Sequence, residues 1–286
     1  MRGNLTIPAV TGGKKPFRFF KMWQTHPQYM DIITQAWQQT QSGTKMFLLV
    51  KKLKAVKGEL KKLNRERFGD IAAQDAKAYL AFQVLQDALH ADPSNEDIAN
   101  REREAQTEYL SAHKTYMQFL AQKAKSEWLK EGDENTSFFH QAIKQRHIQN
   151  SIFHKRHAWK LTRIKLKQSV VDNGPLLDDV MKGQLNATYT KEEIKAAMWA
   201  IDGGKAPGPN GFGSSFFKGA WEIVGDEVYN AVLDFLNTGK LLKEINATGI
   251  TLIPKGKCAE SVKDFRPISC CNAIYKCISK SVMCQT

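Results

Sequence analysis

No cysteine precedes Cys258 in this chain of 286 residues; all five, Cys258, Cys270, Cys271, Cys277 and Cys284, fall in the last 29. An odd number gathered at one end is not a disulfide framework. With no C-x2-C pair and no histidine among them, the cysteines do not make a zinc site either. Cys270, Cys277 and Cys284 recur every seven residues with Ile274 and Ile278 between them, a spacing that predicts one face of a helix. Free, buried thiols in a reducing compartment are expected. Long apolar runs are also missing: stretches such as Met46 to Val50 fall far short of the ~20 residues of a membrane span. Met1-Arg2-Gly3-Asn4-Leu5-Thr6 holds no apolar h-region of a secretory signal. The expectation is a cytoplasmic or nuclear protein with no membrane partner.

Acidic residues are scarce where basic ones are dense. From Gln141 to Val170 there are eight Lys/Arg and no Asp or Glu, a net of +8. From Lys45 to Asp70, nine Lys/Arg face three acids, a net of +6. Together these segments exceed the formal net charge of the whole chain, +13, so the rest is slightly acidic. Such runs repel themselves unless a polyanion or solvent compensates, and each phosphate they neutralise releases counterions. The strip of Lys144, Arg146, Lys155, Arg156, Lys160, Arg163, Lys165 and Lys167 is therefore a candidate nucleic-acid surface. Phe153 and Trp159 lie inside it and are placed to stack on unpaired bases. His140, His147, His154 and His157 lack a carboxylate or cysteine in ligand register, so no metal site is expected there.

A hydrophobic fraction of 42% excludes a wholly disordered chain, and the length permits one large domain or two small ones. Residues 1–16, with Gly3, Pro8, Gly12, Gly13 and Pro16, read as a loose lead-in. Phe17 to Phe20 suits a short strand. Met30, Ile33 and Trp37 begin a helical spacing, and Leu53, Val56, Leu60 and Leu63 form an apolar stripe opposite the lysines. Phe68-Gly69-Asp70 interrupts it, and a second helix runs to about His90 with Tyr79, Phe82, Leu85 and Leu89 on one side. Ser94 is the expected N-cap of a third helix, along which Ile98, Ala105, Tyr109, Ala112, Tyr116 and Phe119 keep near-heptad spacing. The two long helices predict an antiparallel hairpin with partial coiled-coil packing. Gly132 to Thr136 ends a helix, and Asp172-Asn173-Gly174 is a hairpin-type turn. Thr190 with Glu193 is a capping box for a helix whose apolar face is Ile194, Ala197, Met198 and Ile201. A stiff loop, Gly203 to Gly211, follows, and Ile250 to Pro254 reads as a strand closed by proline. The fold class is α+β, mainly helical.

Familiar catalytic patterns fail. Gly204-Lys205 is followed by Ala206 and lacks the glycine spacing of a phosphate loop. No G-x-S-x-G elbow occurs; Gly213-Ser214-Ser215 does not fit it. Asp178-Asp179 is the one adjacent acidic pair flanked by apolar residues, and reads as a solvated turn.

Four blocks, in order, carry a resemblance. Lys125 to His140 (KSEWLKEGDENTSFFH) resembles the linker of plant LINE-type, non-LTR retrotransposon polyproteins. Lys205 to Phe212 (KAPGPNGF) is similar to the KAPGPDGF segment that opens their reverse transcriptase domain, with Asn210 in place of its aspartate. Leu252-Ile253-Pro254-Lys255 and Asp264 to Asn272 (DFRPISCCN) resemble the next two blocks. The resemblance runs from about Phe17 to the end. It implies residues 1–25 as a remnant of an endonuclease C-terminal strand and exit, and residues 26–150 as a helical linker. Residues 151–189 would be a basic, partly irregular connector, and residues 190–286 a truncated reverse transcriptase domain, the fingers and start of the palm.

By resemblance, Lys255 and Arg266 approach the triphosphate of an incoming nucleotide, where two cations offset charge on the transferring group. The family's Mg2+ ions sit on carboxylates of an F-x-D-x-x-x-A-F-D block and a Y-x-D-D turn. Neither block occurs in these 286 residues, so no catalytic residue, metal or cofactor is assigned to the chain. The expected function is that of a catalytically inactive fragment of an RNA-directed DNA polymerase. Such a fragment retains sequence-independent binding to RNA or DNA. The alternative is a helical protein-interaction module with a solvated basic surface, associating with itself or another protein through its helices. An incomplete C-terminal sheet also suggests that the last 100 residues lose protease resistance before the helical hairpin does.

Overall fold

The computed structural model describes residues 16–39, 42–124, 178, 179, 183, 187–256 and 264–284. The element order is a single 3-10 turn (Lys21–Thr25), α1 (Tyr29–Trp37), α2 (Lys45–Arg67), α3 (Ile71–Ala91), α4 (Glu96–Ala124), α5 (Lys191–Trp199), α6 (Ser214–Gly219), α7 (Trp221–Thr238), α8 (Lys243–Asn246), β1 (Thr248–Pro254), β2 (Phe265–Cys271) and α9 (Ala273–Cys284). Among the described residues the fold is mainly helical with one two-stranded antiparallel sheet, the α+β class.

The α2 stripe turns inward as its spacing requires. Leu49, Leu53, Val56, Leu60 and Leu63 are buried, while Lys51, Lys54, Lys61 and Lys62 stay on the outer half. Thr44 caps the helix, accepting from the Phe47 amide. α2 packs on α1 and α7, and α5 packs on α9. One continuous apolar core runs from Phe19 and Trp23 through α1, α2 and α5 to α7 and on to α9. Its centre is aromatic: Phe212 and Phe216 ring centroids lie 4.5 Å apart, with Phe19 5.4 Å from Phe216 and Phe17 5.2 Å from Phe212.

Residues 16–20 form no strand. A single backbone bond joins the Phe19 amide to the Gly211 carbonyl (2.9 Å), and the aromatic packing around Phe17 and Phe19 replaces a ladder. The Gln122 side chain serves the backbone where a neighbouring strand would: Lys21 N–H donates to its Oε1 (2.8 Å), and its Nε2 donates to the Phe19 carbonyl (2.7 Å).

α3 and α4 form the antiparallel hairpin. His113 Nδ1 lies 3.0 Å from Asp75 Oδ1 across it, and Tyr109 meets Tyr79 and Phe82. The N-cap is Asn95 rather than Ser94. Asn95 Oδ1 accepts from the Asp97 and Ile98 amides, whereas Ser94 Oγ donates back to Asp92. Burial is thin away from the base: α3 buries only Ile71, and Leu80, Val84 and Leu110 are exposed. By contrast Phe216, Phe217, Val224, Val228, Ala231 and Val232 are fully buried. The helical body after residue 190 is thus better packed than the hairpin, which argues against the protease order expected from the incomplete sheet.

The capping box at Thr190 and Glu193 forms, with Ile194, Ala197, Met198 and Ile201 buried. The cysteine heptad does not make one helical face, because Cys270 lies on β2 and α9 starts only at Ala273. Cys277 is buried between Ile274 and Ile278, while Cys270 and Cys271 are half-exposed free thiols. The turns expected at 132–136 and 172–174 lie outside the described residues.

Candidate nucleic-acid interface

α2 arises from alternation of two residue types at helical spacing, so burying its leucines forces its cations outward. Lys51, Lys54, Lys61, Lys62, Arg65 and Arg67 are exposed, and Glu59 and Glu66 are the acids of the helix. Two of its lysines are drawn into the fold. Lys52 pairs with Glu227 of α7 and lies over the Trp37 ring. Lys57 sits 5.0 Å over the Phe17 ring.

Lys54, Lys57 and Lys61 form one ridge, since residues three and four apart are neighbours on a helix. Burial lowers the proton affinity of Lys57, and the charges of Lys61 and Lys54 lower it further. A ridge of like charges is costly in isolation, and an anion laid along it removes the repulsion. Phe17 is packed under Lys57 against Trp23 and Phe212, so it supports the ammonium rather than offering a face to a base.

The other cations singled out from the sequence fall into two groups. Lys144, Arg146, Lys155, Arg156, Trp159, Lys160, Arg163, Lys165 and Lys167 lie outside the described residues. Lys255 and Arg266 sit at one end of the β1–β2 hairpin. Ile253 is the register partner of Arg266, and the Lys255 amide donates to the Asp264 carbonyl (2.7 Å). Strand alternation therefore puts Lys255 and Arg266 on one face as diagonal neighbours, together with Ile253. Both residues are exposed, and Ile253 and Ile268 on the same face are exposed as well.

The loop between α5 and α6 is held from below by Asn272, the last residue of the DFRPISCCN block. Its side chain is fully buried: Nδ2 donates to the carbonyls of Glu244 (2.8 Å) and Ile245 (3.0 Å), and Oδ1 accepts from the Asn210 amide. Gly211 adopts φ +84°, and a side chain there would strike the Phe17 carbonyl. Asn210 Oδ1 accepts from the Phe212 amide, while its Nδ2 is buried without a hydrogen-bond partner among the described residues. An aspartate at 210 would keep that acceptor and remove the orphan donor.

Asp178 and Asp179 are exposed. Among the described residues no group of three His, Cys, Asp or Glu side chains is placed to hold a metal ion. Among them, too, no helix is long and apolar enough to cross a membrane.

No protein-family model matches the chain. Over 111 residues, 39% of this chain, it is 24% identical to the "Transposon TX1 uncharacterized 149 kDa protein" of Xenopus laevis. The matched stretch spans 8% of that protein's length. The similarity supports a transposon-related origin.

Proposed function

We propose that this chain descends from a non-LTR retrotransposon reverse transcriptase polyprotein and binds RNA or DNA through phosphate contacts, without polymerase chemistry of its own. The observation that carries the binding is the outer half of α2, where Lys51, Lys54, Lys61, Lys62, Arg65 and Arg67 stand exposed. Lysines spaced along a helix read charge and not base edges, so the binding is independent of sequence. The strip from Lys144 to Lys167 adds to it, with Trp159 as a stacking residue. Lys255 and Arg266 keep, by resemblance, the role of meeting a nucleotide triphosphate, a fork and a point charge on the same hairpin face. The four sequence blocks and the transposon similarity support the lineage; the two missing carboxylate blocks argue against metal-dependent transfer by these residues.

The test is RNA binding by the purified chain across a salt series. Log affinity falls linearly with log salt, and replacing Lys54, Lys61 and Arg65 by Gln reduces the slope by about 0.7 per lost contact on a single strand. A slope unchanged by the triple substitution removes α2 from the interface.

A helical interaction module is the second reading, favoured by Leu80, Val84 and Leu110, which leave an apolar surface on the α3–α4 hairpin. Association through that surface resists added salt, which separates it from phosphate binding.

A further inference from the structure

Four lysines from distant parts of the chain gather around the loop that follows α5. Lys218 Nζ donates to the carbonyls of Trp199 (2.9 Å) and Ile201 (2.7 Å). Lys276 of α9 donates to the Ala206 carbonyl (2.8 Å). Lys205 belongs to the loop itself and is exposed. Lys21, from the 3-10 turn, also reaches the loop: a side chain built on Gly203 would meet its Nζ at 3.7 Å.

None of the four lies in either basic run of the sequence, so only the fold assembles them. The acid within residues 199–211 is Asp202, whose carboxylate accepts from the Gly204 amide. Among the described residues, none of the four lysines makes an ion pair. Lys276 is half-buried; burial lowers its proton affinity and the charge of Lys205 lowers it further, although the Cys270 and Cys271 thiols act the other way.

We propose that Lys21, Lys205, Lys218 and Lys276 form a phosphate-binding site on the Ile201–Ala206 loop. Lys218 and Lys276 are held in place by carbonyls, and each ammonium keeps further N–H groups to donate. Gly203 and Gly204 let a ligand approach the backbone closely, and Pro207 and Pro209 stiffen the exit of the loop. Several point charges around the Gly203–Gly204 pair suit a group with multiple charged oxygens better than a single carboxylate. The phosphate comes either from a polynucleotide backbone or from a free polyphosphate. The site goes beyond the α2 reading, because none of its lysines lies on α2 and it stands if α2 binds nothing.

The experiment uses the full chain and an amine-acetylating reagent, with modification read residue by residue by mass spectrometry. Three arms are run: no ligand, inorganic tripolyphosphate, and a single-stranded RNA without terminal phosphate. Exposed Lys240 is the reference. At about four times its Kd, a bound ligand slows acetylation of Lys205 and Lys276 about fivefold while Lys240 is unchanged. Protection by both ligands assigns a backbone phosphate; protection by tripolyphosphate alone assigns a free polyphosphate. Absence of protection in both arms, or equal protection of Lys240, overturns the site. Lys205→Gln removes an exposed side chain that makes no hydrogen bond among the described residues, and should weaken the protection of Lys276; full protection in that variant also overturns it. Failure of α2 appears separately, in the salt slope of its own variants.

Discussion

Asn272 lies so close beneath Gly208 that a Cβ on the glycine would stand 2.4 Å from the Asn272 backbone nitrogen. The contact joins the proline-rich loop to the start of α9, across more than sixty residues of chain. It also explains two features of the KAPGPNGF segment in physical terms: Gly208 is needed for close approach, and Gly211 for its positive φ.

Gly208→Ala should therefore undock the loop, and Asn272→Ala should destabilise the chain by about 2–4 kcal/mol, because it strands the Asn210 amide, the buried Ile245 carbonyl and the half-buried Glu244 carbonyl. Urea denaturation followed by tryptophan fluorescence measures both. A loss below about 0.5 kcal/mol for Asn272→Ala would show that water replaces these bonds freely.

Unequal burial predicts an order of unfolding. Limited proteolysis should cut the distal α3–α4 hairpin, around Asp92, before the body formed by α5, α6 and α7. Leu60→Ala should cost about 2–5 kcal/mol, and Leu80→Ala within about 0.5 kcal/mol. First cleavage within α7 would reverse this reading.

The Lys52–Glu227 pair ties α2 to α7 and is only partly exposed, with side-chain exposures of 16% and 29%. Glu227→Gln should cost about 1–2 kcal/mol, between the values for surface and buried pairs, and be weakly sensitive to salt. A double-mutant cycle with Lys52→Met isolates the pair from the packing of Lys52 on Trp37.

Burial pushes the Cys277 thiol up to about 12 from an ordinary 9.0, against a smaller opposing hydrogen bond from Ser281. The unfolded chain releases this proton first, so between pH 9 and about 12 the folded chain binds more protons and stability falls as pH rises. Compared with Cys277→Ala, the wild type should lose about 1.4 kcal/mol more per pH unit in that window. Parallel stability curves would show that the thiol is not the group responsible. At neutral pH, iodoacetamide should label Cys270 and Cys271 well before Cys277.

Periodicity and capping chemistry are local, and the sequence by itself determined what depends on them. The inward stripe of α2, the capping box at Thr190 and Glu193, the hairpin of α3 and α4 and the proline-ended β1 all follow from neighbouring residues. So does the outward basic face of α2 at Lys51, Lys54, Lys61 and Lys62, although Lys52 and Lys57 are drawn into the fold by Glu227, Trp37 and Phe17. Tertiary structure decided the rest. Phe17 to Phe20 carry strand-forming residues, yet Gln122, a hundred residues away, takes up the Phe19 carbonyl and the adjoining Lys21 amide. The seven-residue cysteine repeat is real in sequence, but β2 pairing claims Cys270 before the helix begins. Lys21, Lys205, Lys218 and Lys276 show no pattern along the chain, because each is placed by a different element. Only packing around a shared core brings such charges together, and no local rule encodes that.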